Sequence, residues 1–307
     1  MPSLLEIKNK ISSTKSTKKI TKAMQLVAAS KMKTFQKTSI AVQAYATDLF
    51  QALQLSGTGL QEIVFAQERT VGKTMFILLT SDKGLCGAMN ARLVRALFRS
   101  KEWKETPEDD RMLITVGRKA SESARAEGAK PDHSFQGLKE QLEVVDALEV
   151  IDAIVTPWIN EEVKQVYLVS PKYVNAFTFE TPVRSYLPLS QERIEQSLKS
   201  RKQEGEELNS NTEAAFFEPQ RDEVIESIAK SMVEALFVEA FLELKATEYS
   251  SRMVAMKNAT EAADDRIKIL TRLFNKARQN AITQELSELA AANEAMGSED
   301  IYEINNV

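Results

Sequence analysis

VIESIAKSMVEALFVEAFLELKATEYSSRMVAMKNATEAADDRIKILTRLFNKARQNA, residues 224–281, decides how this chain is built. No glycine or proline interrupts it, and none occurs anywhere from 220 to 296. Val224, Ile228, Met232, Ala235, Val238, Leu242, Ala246, Tyr249, Met253, Met256, Ala259, Ala263, Ile267, Leu270, Phe274, Ala277 and Ala281 recur in steps of three and four. That spacing is one stripe of an α-helix. Sustained over so many heptads, it predicts a coiled coil rather than the helices of about 11–12 residues that globular domains use. A second stretch free of glycine and proline runs from 3 to 56, with Leu4, Ile7, Ile11, Thr14, Thr17, Thr21, Met24, Ala28, Met32 and Phe35 in the same steps. Uninterrupted helices of these lengths would reach about 80 Å and about 115 Å. They lie at opposite ends of the chain, so an intramolecular antiparallel pair closes them most simply, with the left-handed supercoil of a repeat near 3.5. Threonine and alanine fill much of the seam. Small side chains bury little apolar area, at about 25 cal/mol per Å², so the pair is expected to need something wrapped around it.

The middle of the chain has another grammar. Residues 74–80 (TMFILLT), 111–116 (RMLITV) and 166–170 (VYLVS) read as buried strands. Residues 91–100, 118–127 and 144–162 read as helices, the second stopping at Gly128 and the third containing Pro157 or ending at it. Residues 177–180 and 183–187 are expected to pair as an edge hairpin. Strands alternating with helices predict a Rossmann-like α/β domain with a mainly parallel sheet. The predicted organisation is an N-terminal coiled-coil helix over 1–57, an α/β domain over 70–190, a mobile connection over 191–219, a C-terminal coiled-coil helix over 220–296 and an acidic tail over 297–307.

Charge is unevenly spread. The net value is −4, yet nine lysines stand between Ser3 and Ile40 against Glu6 alone, whereas Thr283 onward carries acids and neither lysine nor arginine. Such asymmetry points to charged partners. Nucleic acid is not the expected one: the lysines surround most of the helix, no aromatic residue falls among the first 34, and no known motif frames them. No apolar run approaches the roughly 20 residues of a membrane span. The first ten residues lack a signal peptide or transit pattern, which predicts a protein that stays where it is made and favours a bacterial one.

The chemistry-bearing residues are few. Cys86 is the sole cysteine and His133 the sole histidine, which rules out an internal disulfide and argues against a zinc site within this chain. Cys86 reads as a buried, inert thiol. Ser81-Asp82-Lys83-Gly84-Leu85-Cys86-Gly87 follows a strand and precedes a helix, where phosphate-binding turns sit. It has neither GxxxxGK[ST] nor GxGxxG spacing, so a tight βα turn is the better reading. No catalytic residue, cofactor or metal is expected, and the acidic tail lacks EF-hand spacing.

Three motifs carry a resemblance. Ile7-Lys8, Ile11 to Thr14, Lys18-Lys19-Ile20-Thr21-Lys22-Ala23-Met24 and Val27 to Met32 are similar to the N-terminal helix of ATP synthase gamma subunits. Ser251 to Thr260, Asn275-Lys276-Ala277-Arg278-Gln279 and Ile282 to Leu286 resemble that family's C-terminal helix, and the SDKGLCG turn matches as well. Departures exist: Ala292 and Asn293 stand where the family usually has a Gly-Ala pair, and the cysteine pair of redox-regulated chloroplast relatives is missing. The resemblance implies a non-catalytic rotor shaft of the F1 sector, CF(1), turning inside an alpha3beta3 hexamer. Its α/β domain would touch epsilon and the membrane c-ring, with one copy per complex, at the cytoplasmic face of a bacterial inner membrane. It would couple hydrogen ion transport to ATP synthesis at the beta subunits. Carried over by motif, Lys22 and Met24 are expected to meet the acidic lever loop of beta. Arg278, Gln279 and Thr283 are expected to meet the loop that catches the upper shaft. Arg252 matches a shaft residue and is expected among the contacts to beta, and Asn90 is a candidate for the lower-domain surface. Two other readings are a soluble α/β enzyme with coiled-coil ends, which lacks a convergent set of catalytic residues, and a homodimeric coiled-coil scaffold.

Overall fold

The computed structural model describes residues 3–55, 63–139, 144–189 and 221–304. The connection expected over 191–219 lies outside them, as do residues 305–307. In chain order the elements are α1 (Leu4–Leu55), β1 (Lys73–Leu79), α2 (Met89–Arg99), α3 (Lys101–Glu105), β2 (Arg111–Val116), α4 (Arg118–Ala126), β3 (His133–Phe135), α5 (Val144–Ile159), β4 (Val163–Val169), β5 (Lys172–Asn175), β6 (Thr178–Glu180), β7 (Val183–Leu187) and α6 (Arg221–Ile304). The chain divides into two compact units, Val27–Ala255 and Met1–Leu26 with Met256–Val307.

The first unit holds a five-stranded sheet in the order β3-β2-β1-β4-β7. β1 pairs in parallel with β2 on one side and β4 on the other. β3 extends the parallel part, and β7 closes the far edge antiparallel to β4. Six consecutive residues of β1 are buried. That unbroken apolar run is what a strand covered on both faces requires. The return from β2 to α4 is tight: a Cβ on Gly117 would lie 2.2 Å from the Thr80 carbonyl oxygen, and φ there is +96°. Only glycine fits.

The edge hairpin expected from 177–180 and 183–187 does not form. β7 joins the main sheet through β4, while β6 pairs with β5 in a separate two-stranded ribbon. Asn175 accounts for the ribbon: its Oδ1 accepts from the Phe177 and Thr178 amides at 2.9 and 3.0 Å, closing the turn before residue 178. Pro182 sits between β6 and β7, where a chain leaves one sheet for another.

α6 crosses this unit with almost every residue from Phe241 to Arg252 buried. One side, with Phe237, Ala240 and Leu244, joins the core of the sheet domain. The other, with Leu242, Ala246 and Tyr249, packs on Ala28, Met32 and Phe35 of α1. The Phe35 and Tyr249 rings stack with centroids 5.6 Å apart. A helix packed on two sides is buried nearly all round, which explains the many polar groups it conceals.

In the second unit the helices are paired thinly. Lys18 bonds Asp264 at 2.5 Å, and the Thr21 and Thr260 hydroxyls meet at 2.8 Å. Positions rise along α1 as they fall along α6, so the pair is antiparallel. Ile7, Thr21, Met256, Thr260, Ala263 and Leu270 are its buried residues. Thr17, expected in the seam, is exposed and Lys18 is half-buried instead. A step of four from Thr14 keeps the stripe under the partner helix, and Asp264 supplies the counter-charge there. α6 also continues through Gly297 to Ile304, rather than yielding to a tail at 297. One interior glycine costs a helix only about 1 kcal/mol, and no proline follows.

Candidate interaction surfaces

Doubly wound sheets bind ligands in the crevice outside the carboxyl ends of their strands, where the order reverses. Here that place falls beside β1 and β4. After β1 the chain makes the SDKGLCG turn. Ser81 and Asn90 brace it: Asn90 Oδ1 accepts from the Ser81 amide at 3.2 Å, and its Nδ2 donates to Ser81 Oγ at 2.8 Å and Cys86 Sγ at 3.3 Å. Asp82 Oδ1 accepts from the Arg118 and Gly137 amides, tying the turn to the chain just beyond β2 and β3. At its tip Leu85 adopts a left-handed φ of 64° and stays 63% exposed.

α6 then fills the crevice. Arg252 Nη2 donates to the Gly84 carbonyl at 3.1 Å and to Glu248 Oε1 at 2.7 Å. Lys245 stands 3.6 Å from the other Glu248 oxygen, and all three side chains are less than a tenth exposed. Beside β4, Arg184 donates to Ser170 Oγ at 2.5 Å and lies 3.5 Å from Glu243. Burial pushes the Glu243 carboxyl above its usual range, with Arg184 pulling the other way. The carboxyl ends of β1 and β4 are thus engaged by the chain's own helix. Cys86 is buried among Ser81 and Asn90. His133 is exposed on β3, its ring stacked with Phe135.

The residues singled out from sequence fall into three groups. Arg252 and Asn90 are built into the turn and its support. Lys22 is exposed, its Nζ donating to Gln25 at 3.3 Å, and Met24 is half-buried. Arg278, Gln279 and Thr283 are exposed on α6, with the Thr283 hydroxyl donating to the Gln279 carbonyl. Lys22 lies next to Thr21, which pairs with Thr260, so about 27 Å of α6 separates its level from Arg278 at 1.5 Å per residue. Sequence reasoning missed one feature. Ile282, Leu286 and Leu289, in steps of four and three, form an apolar stripe that is 48%, 62% and 68% exposed. They lie beyond the level at which α1 begins, and every described residue from 282 to 293 is exposed. The signal was the length difference between the two stretches: the longer helix must outrun the shorter.

The fold defines a class: a doubly wound α/β domain whose ligand crevice is occupied by one of a pair of long antiparallel helices, a stalk protein rather than a nucleotide enzyme. The chain belongs to the ATP synthase gamma chain family, whose members are non-catalytic subunits of that complex: the ATP synthase family model matches residues 3–296. The gamma chain of Exiguobacterium sibiricum is 34% identical over 95% of this chain and 98% of its own length. That of Herpetosiphon aurantiacus is 32% identical over 96% and 99%. Among solved structures, a chain of the Tetrahymena thermophila mitochondrial ATP synthase central stalk and c-ring is 25% identical with a TM-score of 0.57, covering 78% of this chain and 99% of that one. A chain of the Euglena gracilis mitochondrial ATP synthase is similar in fold, with a TM-score of 0.66 at 17% identity over 97% and 95%. Among the described residues no helix is long and apolar enough to cross a membrane.

Proposed function

We propose that this chain is the central rotor shaft of an F-type ATP synthase, transmitting rotation of a membrane c-ring to the catalytic beta subunits without doing chemistry itself. The observation that carries this is the antiparallel helix pair, joined across its seam by Lys18–Asp264 and Thr21–Thr260, in a chain of the gamma family. Cross-linked helices resist bending and torsion. A shaft acts on beta by touching its open and closed states differently, which is how any ligand shifts a conformational equilibrium. It also holds ATP hydrolysis and proton flow in step.

The partner contacts follow from exposure and charge. Lys22, with Met24 beside it, offers a cation to the acidic lever of beta. Arg278, Gln279 and Thr283 offer donors to a catching loop higher on α6, and the stripe of Ile282, Leu286 and Leu289 gives the tip an apolar face toward the surrounding hexamer. Arg252 and Asn90 act by holding the turn that presents Leu85. An exposed leucine in left-handed backbone costs roughly 1–2 kcal/mol, a strain that a contact at the turn would account for. The α/β domain would bear on epsilon and the c-ring, with one copy per complex, peripheral to the cytoplasmic face of a bacterial inner membrane.

The test is co-expression with the alpha and beta partners. A purified assembly with one copy per three beta subunits, whose ATPase depends on this chain, supports the reading. Failure to enter the assembly, or hydrolysis by this chain alone, overturns it.

A further inference from the structure

We infer that the groove between α2 and the segment joining β6 to β7 binds a ligand bearing a phosphate group. Arg92, Arg95 and Arg99 recur at steps of three and four, so they share one face of α2. Together with Ser100 and Thr181 they line a groove of about 410 Å³. Arg92 is already fixed: its guanidinium lies 4.3 Å from the Phe179 ring centroid, and its Nη2 donates to the Phe179 carbonyl at 3.1 Å. Among the described residues, the guanidinium of neither Arg95 nor Arg99 has a hydrogen-bond, ion-pair or ring partner. Both are therefore available to a ligand, whereas nearby Lys101 pairs with Glu105, and Arg118 and Lys119 both pair with Glu122.

The chemistry that fits is a tetrahedral oxyanion. A guanidinium presents two parallel N–H donors that match two oxygens of one phosphate, and hydroxyls such as those of Ser100 and Thr181 complete the remaining acceptors. Two guanidiniums one helical turn apart straddle a single phosphate group or two linked ones. The groove is open to solvent, so it is accessible both to a soluble phosphate-bearing anion and to a lipid headgroup. It is remote in sequence from the shaft contacts proposed above and does not depend on them.

The full-length chain is titrated with pyrophosphate by calorimetry, with citrate as a control of similar charge. In parallel it is floated with phosphatidylcholine vesicles, with and without phosphatidylglycerol. Saturable pyrophosphate binding, weakened about tenfold or more by Arg95→Ala with Arg99→Ala and falling as salt is raised, supports the site. Flotation only with phosphatidylglycerol, lost in the same double variant, supports it with a headgroup as the source. Arg95→Lys with Arg99→Lys keeps the charge but not the fork and is expected to recover only part of the binding. No saturable binding in either arm, binding equal in the double variant, or citrate binding as tightly as pyrophosphate overturns it. Both arginines are exposed, so circular dichroism of the variants is expected to match the parent.

Discussion

The guanidinium of Arg252 reaches Glu248 on its own helix and the Gly84 carbonyl in the turn after β1. Replacing it with alanine leaves a buried carboxylate with Lys245 alone at 3.6 Å and frees the turn. A loss of about 2–4 kcal/mol is expected in chemical denaturation, and a loss under about 1 kcal/mol would contradict the buried network. Glu243 makes a prediction about pH. Its folded pKa is raised by burial above the ordinary 4.5, so the native state binds the proton more tightly than the unfolded one. Its contribution is therefore most favourable below 4.5 and is lost as pH rises through the folded value. Glu243→Gln is expected to match the parent in acid and to exceed it in stability near neutrality. Denaturation of both proteins across that range checks this, and a difference that shrinks as pH rises would refute it. None of these burials was legible in the sequence. Arg252 and Asn90 read as surface candidates because a motif names a residue without saying which way it faces. The turn was read as a tight βα turn, and Ser81 and Asn90 brace one there.

At the scale of elements the two long helices were the most legible part, because the absence of glycine and proline and a stripe in steps of three and four admit no other regular structure. The parallel core strands followed from their unbroken apolar runs. The pairing of β6 and β7 was not legible, since it hangs on Asn175 closing a turn one element earlier than the hydrophobic pattern suggests. Two tests belong to this scale. Thr21→Val is expected to cost about 0.5–1 kcal/mol, because Thr260 keeps its bond to the Met256 carbonyl at 2.8 Å. The double change with Thr260→Val is expected to cost less than the sum of the singles, as a double-mutant cycle would read. Leu286→Asp on the apolar stripe is expected to leave the isolated chain within about 0.5 kcal/mol of the parent. In the assembled complex it should lower ATPase; unchanged activity would remove the stripe from the working surface.

For the whole molecule, the two units differ in what holds them. Val27–Ala255 encloses the sheet, its large core and both tryptophans, Trp103 and Trp158, whereas the other unit rests on a narrow seam. Unfolding of the isolated chain in urea is therefore expected to depart from two-state behaviour. Helical circular dichroism should fall at lower denaturant than tryptophan fluorescence, and coincident transitions would show the units to be one cooperative body. The division of labour was only half legible: the thin seam could be read from its threonines and alanines, but not where along the helices it gives way to the larger core. The end of α6 carries this furthest. From 282 to 293 every residue is exposed, and the side-chain bonds there, Ser287 to the Thr283 carbonyl and Gln284 to Glu288, stay within the helix. A single helix held by local bonds alone is marginal in water. In the free chain its amides should fray and exchange with solvent within the earliest times of a hydrogen-exchange experiment, and become protected once a hexamer closes round it. The tip would then finish folding only on assembly, making the ordering of this last stretch part of the free energy of joining the motor.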